Sequence, residues 1–286
     1  MPDLSPPILA ALLALASAAL WGVSDFGGGL LGRRAPILGV LIATQAVGFL
    51  AACVAAVATA EQMLAGDDLG LSVIAAGLAA IGVASLYRGL AVGRMGIVAP
   101  VTAVLTATTP AIIGIALQGA PAPLVVAGFG LAIIAVVVVS LVPDDGGGRP
   151  SGLPYALVGG VTLGLLGVVL SRIDLVHVFA PLAVMRGLEI ILFVGFLTIR
   201  RVAWRMPRAT LPLAVLVGIV DVTGNAAFLT AARIGDLSVA AVLSSLYPVV
   251  TVVLAAFVLR EQITKSHAVG VALAFVAIAL IAGGGG

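Results

Sequence analysis

The chain holds 286 residues, of which 62% are hydrophobic and only 9% charged, with a mean hydropathy of +1.29. Soluble domains average about 25% charged residues, so this composition excludes a soluble globular protein and predicts a membrane protein. One cysteine, Cys53 inside an apolar run, excludes a disulfide framework and a cysteine-based metal site; the net charge of +2 decides little, because in a membrane chain the placement of charge matters more than its sum.

In chain order, apolar runs between polar breaks predict about ten spans, near residues 8–30, 36–58, 70–92, 97–117, 122–142, 153–171, 178–199, 211–232, 237–259 and 266–283. Each is close to the roughly 20 residues that a helix needs to cross a core of about 30 Å. Barrel strands would instead be about 10 residues of alternating polarity, and a stretch such as AIIAVVVVSLV, residues 132–142, shows none. The expectation is an all-α integral membrane protein. Residues 1–7 carry Asp3, no basic residue and no small-residue cleavage site behind a short apolar core, so the first run reads as a span rather than a secretory signal.

The first span contains Trp21 and Asp25, and its glycines Gly27, Gly29 and Gly32 spell G-x-G-x-x-G. That pattern marks a dinucleotide site only between a strand and a helix, and no strand precedes it. The pairs Gly28 and Gly32, Gly89 and Gly93, and Gly160 and Gly164 instead give small-xxx-small spacings that let helices approach closely. A charge at the centre of a membrane helix costs roughly 2.5–3.5 kcal/mol, so such residues pair, face a cavity or work. Asp25 and Arg88 lie toward the same end of the first and third spans. An interhelical pair is the simplest account of both, with Tyr87 a donor at the same level; the alternative makes Asp25 a carrier that loads and releases a proton. Pro100 and Pro110 in the fourth span and Pro248 in the ninth free backbone carbonyls. Hydroxyls cluster at those breaks, so part of the substrate cavity is expected around Thr106, Ser244 and Tyr247, with Trp21 as a wall.

The linker PDDGGGRPSG, residues 143–152, divides two halves of five spans, 1–142 and 153–286. In the second half, Arg186 and Glu189 stand three apart on one helix and can pair locally. If that face points inward, Arg186 could hold an anionic group of a substrate. Asp221 has Asn225 four residues on, hence on the same face; it is either a structural hydrogen-bonding group or a site for substrate or a coupling proton. Aromatic residues make up only 5% of the chain, which argues against a cage for bulky aromatic cations.

The halves resemble one another. Residues 90–110, LAVGRMGIVAPVTAVLTATTP, can be laid over residues 229–248, LTAARIGDLSVAAVLSSLYP, so that Arg94 meets Arg233, Gly96 meets Gly235 and, after a one-residue gap, Pro110 meets Pro248. Five crossings per half put the second half in the membrane upside down relative to the first. Such inverted repeats are common in secondary transporters, with the site at the midplane between them.

The run from Ala231 onward, AARIGDLSVAAVLSSLYPVVTVVLAAFVLREQITKSHAVGVALAFVAIALI, resembles the EamA branch of the drug/metabolite transporter superfamily through Gly235, Ser238, Ala240, Pro248, Glu261 and Gly270. Leu20, Trp21 and Gly22 fit the family's first helix, and Arg186 fits a basic residue often seen in its second and seventh. The resemblance covers essentially the whole chain. It implies two inverted five-helix repeats and a plasma-membrane transporter of small metabolites or drugs that is no enzyme and carries no cofactor. The first repeat departs from the pattern, with Gly119 where the second has Glu261 and Leu41 roughly where it has Arg186.

Ten Lys and Arg residues fall in or beside loops opposite the termini and two on the terminal side, which by the positive-inside rule puts both termini outside; the resemblance implies cytoplasmic termini. No Gly-rich, Lys-Ser/Thr nucleotide motif is present, so the expected transporter runs on an ion gradient, protons among the candidates, or on its substrate's own gradient. Expected partners are a small-molecule substrate, protons and membrane lipid, not nucleic acid, with the chain a monomer or homodimer. The rival readings are a structural or lipid-handling membrane protein without transport and an intramembrane aspartyl protease. The protease is disfavoured because its GxGD motif is missing; the strings are GVSD, residues 22–25, and GIVD, residues 218–221.

Overall fold

A computed structural model describes residues 6–62, 64–118, 123–140, 152–173, 178–235, 240, 243–244, 246–261 and 265–283. Among them the chain forms ten α-helices and no strand. They are α1 (Pro6–Gly32), α2 (Ile37–Ala58), α3 (Gly66–Val92), α4 (Met95–Gln118), α5 (Pro123–Ser140), α6 (Leu153–Leu170), α7 (Phe179–Arg200), α8 (Leu211–Ile234), α9 (Tyr247–Leu259) and α10 (Lys265–Gly283). Each predicted apolar run overlaps one of them, and six among the described residues are long and apolar enough to cross a membrane. The linker at residues 143–151, Gly119 and Ser238 lie outside the described residues.

Local chemistry sets the helix ends. The Glu61 carboxylate accepts from the backbone N–H groups of Val178, Phe179 and Ala180, answering the unpaired donors at the start of α7. Pro248 falls in the first turn of α9, where its missing N–H costs nothing, so the helix restarts there. In α4 the two prolines stand inside the helix. Pro110 leaves the Thr106 carbonyl without its helical donor, and that carbonyl lies against Gly164 of α6.

Two ends can be told apart. The α1–α2, α3–α4 and α7–α8 connections and the turn after α9 share one end with Arg33, Arg34, Arg94, Arg201, Arg205, Arg208 and Arg260; the start of α1 and the end of α10 share the other. The largest buried cluster belongs to the basic end, joining Leu31, Val40, Leu41, Leu86, Leu90, Met95, Val98, Ala156 and Val217. Toward the terminal end the packing breaks into smaller clusters, one of Ala14, Ala231, Ala232 and Ala240, another of Ala52, Leu182 and Val222.

Helix packing repeats itself. α1 lies against α8 and α9, as α6 lies against α3 and α4; α2 packs on α7 and α8, and α7 on α2 and α3; α5 and α10 pack together. Glycine makes the closest crossings possible. A Cβ on Gly22 would meet Val250 and the Tyr247 carbonyl of α9, and one on Gly160 would meet Leu105 and the Thr102 carbonyl of α4. The expected small-xxx-small pairs Gly28 with Gly32 and Gly160 with Gly164 do line crossings, against Tyr87 and Ala91 and against Leu105 and Thr109.

Candidate functional site

The buried charges meet between α2, α7 and α8. Arg186 forms ion pairs with Asp221 of α8 and, at 3.6 Å, with Glu189 one turn along its own helix. Its guanidinium also donates to the Gln45 side-chain oxygen of α2, and the Gln45 amide donates to Glu189. Asn225 donates to the Asp221 backbone carbonyl at 2.8 Å and reaches its carboxylate at 3.4 Å. Glu189 is fully buried and Arg186 is 7% exposed, so each charge depends on its partners where water is scarce. The Arg186–Glu189 pair and the Asp221–Asn225 face stand as the spacing predicts. Gln45 is the residue the sequence reading missed; the signal was a lone amide in an otherwise apolar span.

Asp25 is different. It is 9% exposed, and among the described residues no hydrogen bond or ion pair reaches its carboxylate. The expected partner is absent, because Arg88 is exposed while its neighbour Tyr87 is buried. Successive helical residues turn by about 100°, so two neighbours at one depth cannot both face α1. Tyr87 is the one that does, its hydroxyl 3.3 Å from the Ser24 hydroxyl, with its ring packed on Gly28. Asp25 lies within electrostatic reach of Tyr87, of Asp221 and of Tyr247 on α9.

Trp21 stands one helical turn before Asp25 and on the same face. Its ring centroid is 5.5 Å from that of Phe228 and 6.3 Å from that of Tyr247, the latter edge-on. Trp21, Asp25, Tyr87, Asp221, Asn225, Phe228 and Tyr247 thus gather where α1, α3, α8 and α9 meet, and Asp221 links them to Arg186, Glu189 and Gln45. Phe228 carried no sequence signal of its own.

Thr106 and Ser244, expected at the cavity, are engaged between helices. The Thr106 hydroxyl donates to the Gly160 carbonyl of α6, and the Ser244 hydroxyl to the Ala14 carbonyl of α1. Both are committed to helix crossings, as are Thr102 to Ala156 and Thr251 to Gly22.

At the basic end, polar contacts tie the ends of α1, α3 and α9 to the start of α4. Arg33, just after α1, pairs with Glu261 at 2.9 Å and donates to the Leu90 and Gly93 carbonyls at the end of α3. Glu261 also accepts from the Met95 N–H at the start of α4.

Residues 150–283 match the model of the EamA-like transporter family, part of the drug/metabolite transporter superfamily. No curated protein matches the chain. A solved crystal structure, described only as that of a protein, is 18% identical over 95% of this chain and 97% of its own, with a TM-score of 0.62; that likeness is one of fold.

Proposed function

From a chain whose residues 150–283 match the EamA-like transporter family and which carries the helices of a multi-pass membrane protein, we propose a secondary transporter that moves a small metabolite or drug by alternating access. The observation that carries the reading is the interior charged region, built from α1, α2 and α3 of the first half and α7, α8 and α9 of the second. Intramembrane ionisable residues on facing helices mark substrate and ion pathways, and a site shared between repeats is presented to each side when one repeat rocks against the other.

Two inverted five-helix repeats, residues 1–142 and 153–286 about the linker 143–152, account for the exchange of packing partners between the halves. They also account for Thr106 and Ser244, each four residues before a proline and each donating to a carbonyl of the other half's first helix. In this reading the structure is the state closed at the basic end; opening that end requires the Arg33–Glu261 pair to part. The loop charge assigns the basic end to the cytoplasm of a cell whose plasma membrane holds the protein.

Asp25 is the proposed proton carrier, since it alone among the interior carboxylates has no fixed cation. The titratable groups facing it are Tyr87, Asp221 and Tyr247, with Arg186 and Glu189 beyond. Asp221 does not complete a proteolytic carboxylate pair, because Arg186 and Asn225 already hold it. Counterflow tests transport itself: proteoliposomes preloaded with pooled metabolites should accumulate labelled members of the active pool. Absence of exchange for every pool, in vesicles shown to hold folded protein, would leave a non-transporting membrane protein.

A further inference from the structure

The loop between α7 and α8 is basic and has a fixed seat. Residues 200–208, RRVAWRMPR, hold Arg200, Arg201, Arg205 and Arg208, and no acid occurs between Glu189 and Asp221. All four arginines are exposed, and among the described residues none of them forms an ion pair. α7 ends at Arg201, whose φ of 49° turns the chain out of the helix. A Cβ on Gly39 of α2 would stand 2.0 Å from the Trp204 carbonyl oxygen, so glycine at that position is what lets the loop lie on α2. A 3₁₀ turn, Arg208–Thr210, then leads into α8, with the Thr210 N–H and hydroxyl donating to the Pro207 carbonyl at 2.9 and 2.7 Å.

Between this loop and α2 runs a groove of about 340 Å³, with Gly39, Ile42, Ala43 and Ala46 along one face of α2 as one wall and Trp204 and Arg205 at the other. That volume lies within the range of ligand pockets. At about 1.5 Å per residue the α2 wall runs about 10 Å from the basic end into the membrane. Trp204 is 48% exposed, as suits an indole at the boundary of hydrocarbon and headgroups. The groove therefore has an apolar wall and a cationic rim.

This arrangement is complementary to a molecule with an anion at one end and hydrocarbon at the other. Guanidinium forks match phosphate oxygens, and basic pockets beside membrane helices favour acidic headgroups. A choline headgroup would bring its own cation to the same rim. We propose that the groove is a binding site for an anionic phospholipid, with its phosphate at Arg205 in the field of the neighbouring arginines and part of one acyl chain along residues 39–46 of α2. The site stands apart from the interior charged region and does not depend on transport.

Trp204 reports on the site. The chain has two tryptophans, so Trp21→Phe leaves Trp204 as the sole indole. Bromine on an acyl chain quenches an indole that it touches. Trp21→Phe protein in phosphatidylcholine vesicles is titrated by replacing the host lipid with phosphatidylglycerol or phosphatidylcholine carrying the same dibrominated chain. Half-maximal quenching is expected at a mole fraction at least about fivefold lower for the phosphatidylglycerol. Arg205→Gln with Arg208→Gln, which changes only exposed side chains, should remove most of that preference. Ala46→Leu fills the groove and leaves every charge in place; it should weaken quenching by the brominated phosphatidylglycerol about threefold at unchanged helical circular dichroism.

Equal quenching by the two lipids overturns the proposal without recourse to any groove variant. A preference that survives loss of both arginines removes them from the site. One that survives undiminished in folded Ala46→Leu leaves only a diffuse attraction of a basic loop for an acidic membrane. Relief of quenching by soluble glycerol phosphate would make the rim a site for a free anion and overturn the lipid.

Discussion

The crossing of α1 with α8 and α9 and the crossing of α6 with α3 and α4 use the same devices. In both, glycines bring backbones together and hydroxyls beside a proline donate to carbonyls of the other half's first helix, Ser244 to Ala14 and Thr251 to Gly22 in the first, Thr106 to Gly160 and Thr102 to Ala156 in the second. Yet the first crossing carries Trp21, Asp25, Asp221, Phe228 and Tyr247, whereas α6 presents Gly159, Gly160, Leu163 and Gly164 to its neighbours. The scaffold is shared and the chemistry is not. A handful of polar and aromatic side chains on one crossing is enough to make a site, while the other stays a packing surface.

Substitutions can break that comparison. The largest expected effect is at Arg186, behind the chemical crossing. Arg186→Leu leaves Asp221 and Glu189 without their cation, and removing one member of a buried pair costs about 3–5 kcal/mol, measurable as lost stability on unfolding in detergent. If stability is unchanged, the ion pairs are not what holds α7 to α8.

Next comes the packing crossing. A Cβ at Gly160 would stand 2.5 Å from the Leu105 Cβ and 2.9 Å from the Thr102 carbonyl oxygen, so Gly160→Leu should cost about 1–3 kcal/mol by overpacking and leave the affinity of folded protein for its substrate unaltered. A change in affinity in the folded variant would show that the second crossing also serves the site.

The smallest effects sharpen the likeness. Thr106→Val and Ser244→Ala each remove one interhelical hydrogen bond, worth about 0.6 kcal/mol on average in membranes, and both should lower stability by similar small amounts without loss of transport. Loss of transport in either would return these hydroxyls to the cavity.

Much of this was readable in the sequence, and the misreadings have physical causes. Arg186 with Glu189 and Asp221 with Asn225 were legible because helical spacing of three and four fixes a shared face. Asp25 with Arg88 was misread because a hydropathy profile gives depth and not azimuth, and the choice between Tyr87 and Arg88 is one of azimuth. Thr106 and Ser244 were found at the proline breaks, but helical spacing could not show that their hydroxyls donate across to Gly160 and Ala14. Glu61 was illegible: a carboxylate in a loop says nothing of the helix start that tertiary packing brings to it. Trp21 and Tyr247 were expected near one another, but Phe228 was hidden for the same reason, since composition counts rings but does not place them.

The central claim is that the unpaired carboxylate of the chemical crossing, not the paired one, carries the coupling. Proton flux in proteoliposomes under an imposed pH gradient, on addition of metabolite pools, tests it in the wild type, Asp25→Asn and Asp221→Asn. The account predicts that an active pool dissipates the gradient in the wild type and that folded Asp25→Asn abolishes this. Asp221→Asn should retain part of the flux, because its charge is already matched by Arg186. Gradient dissipation that survives in Asp25→Asn would contradict the account and reduce Asp25 to a structural residue of the α1 crossing.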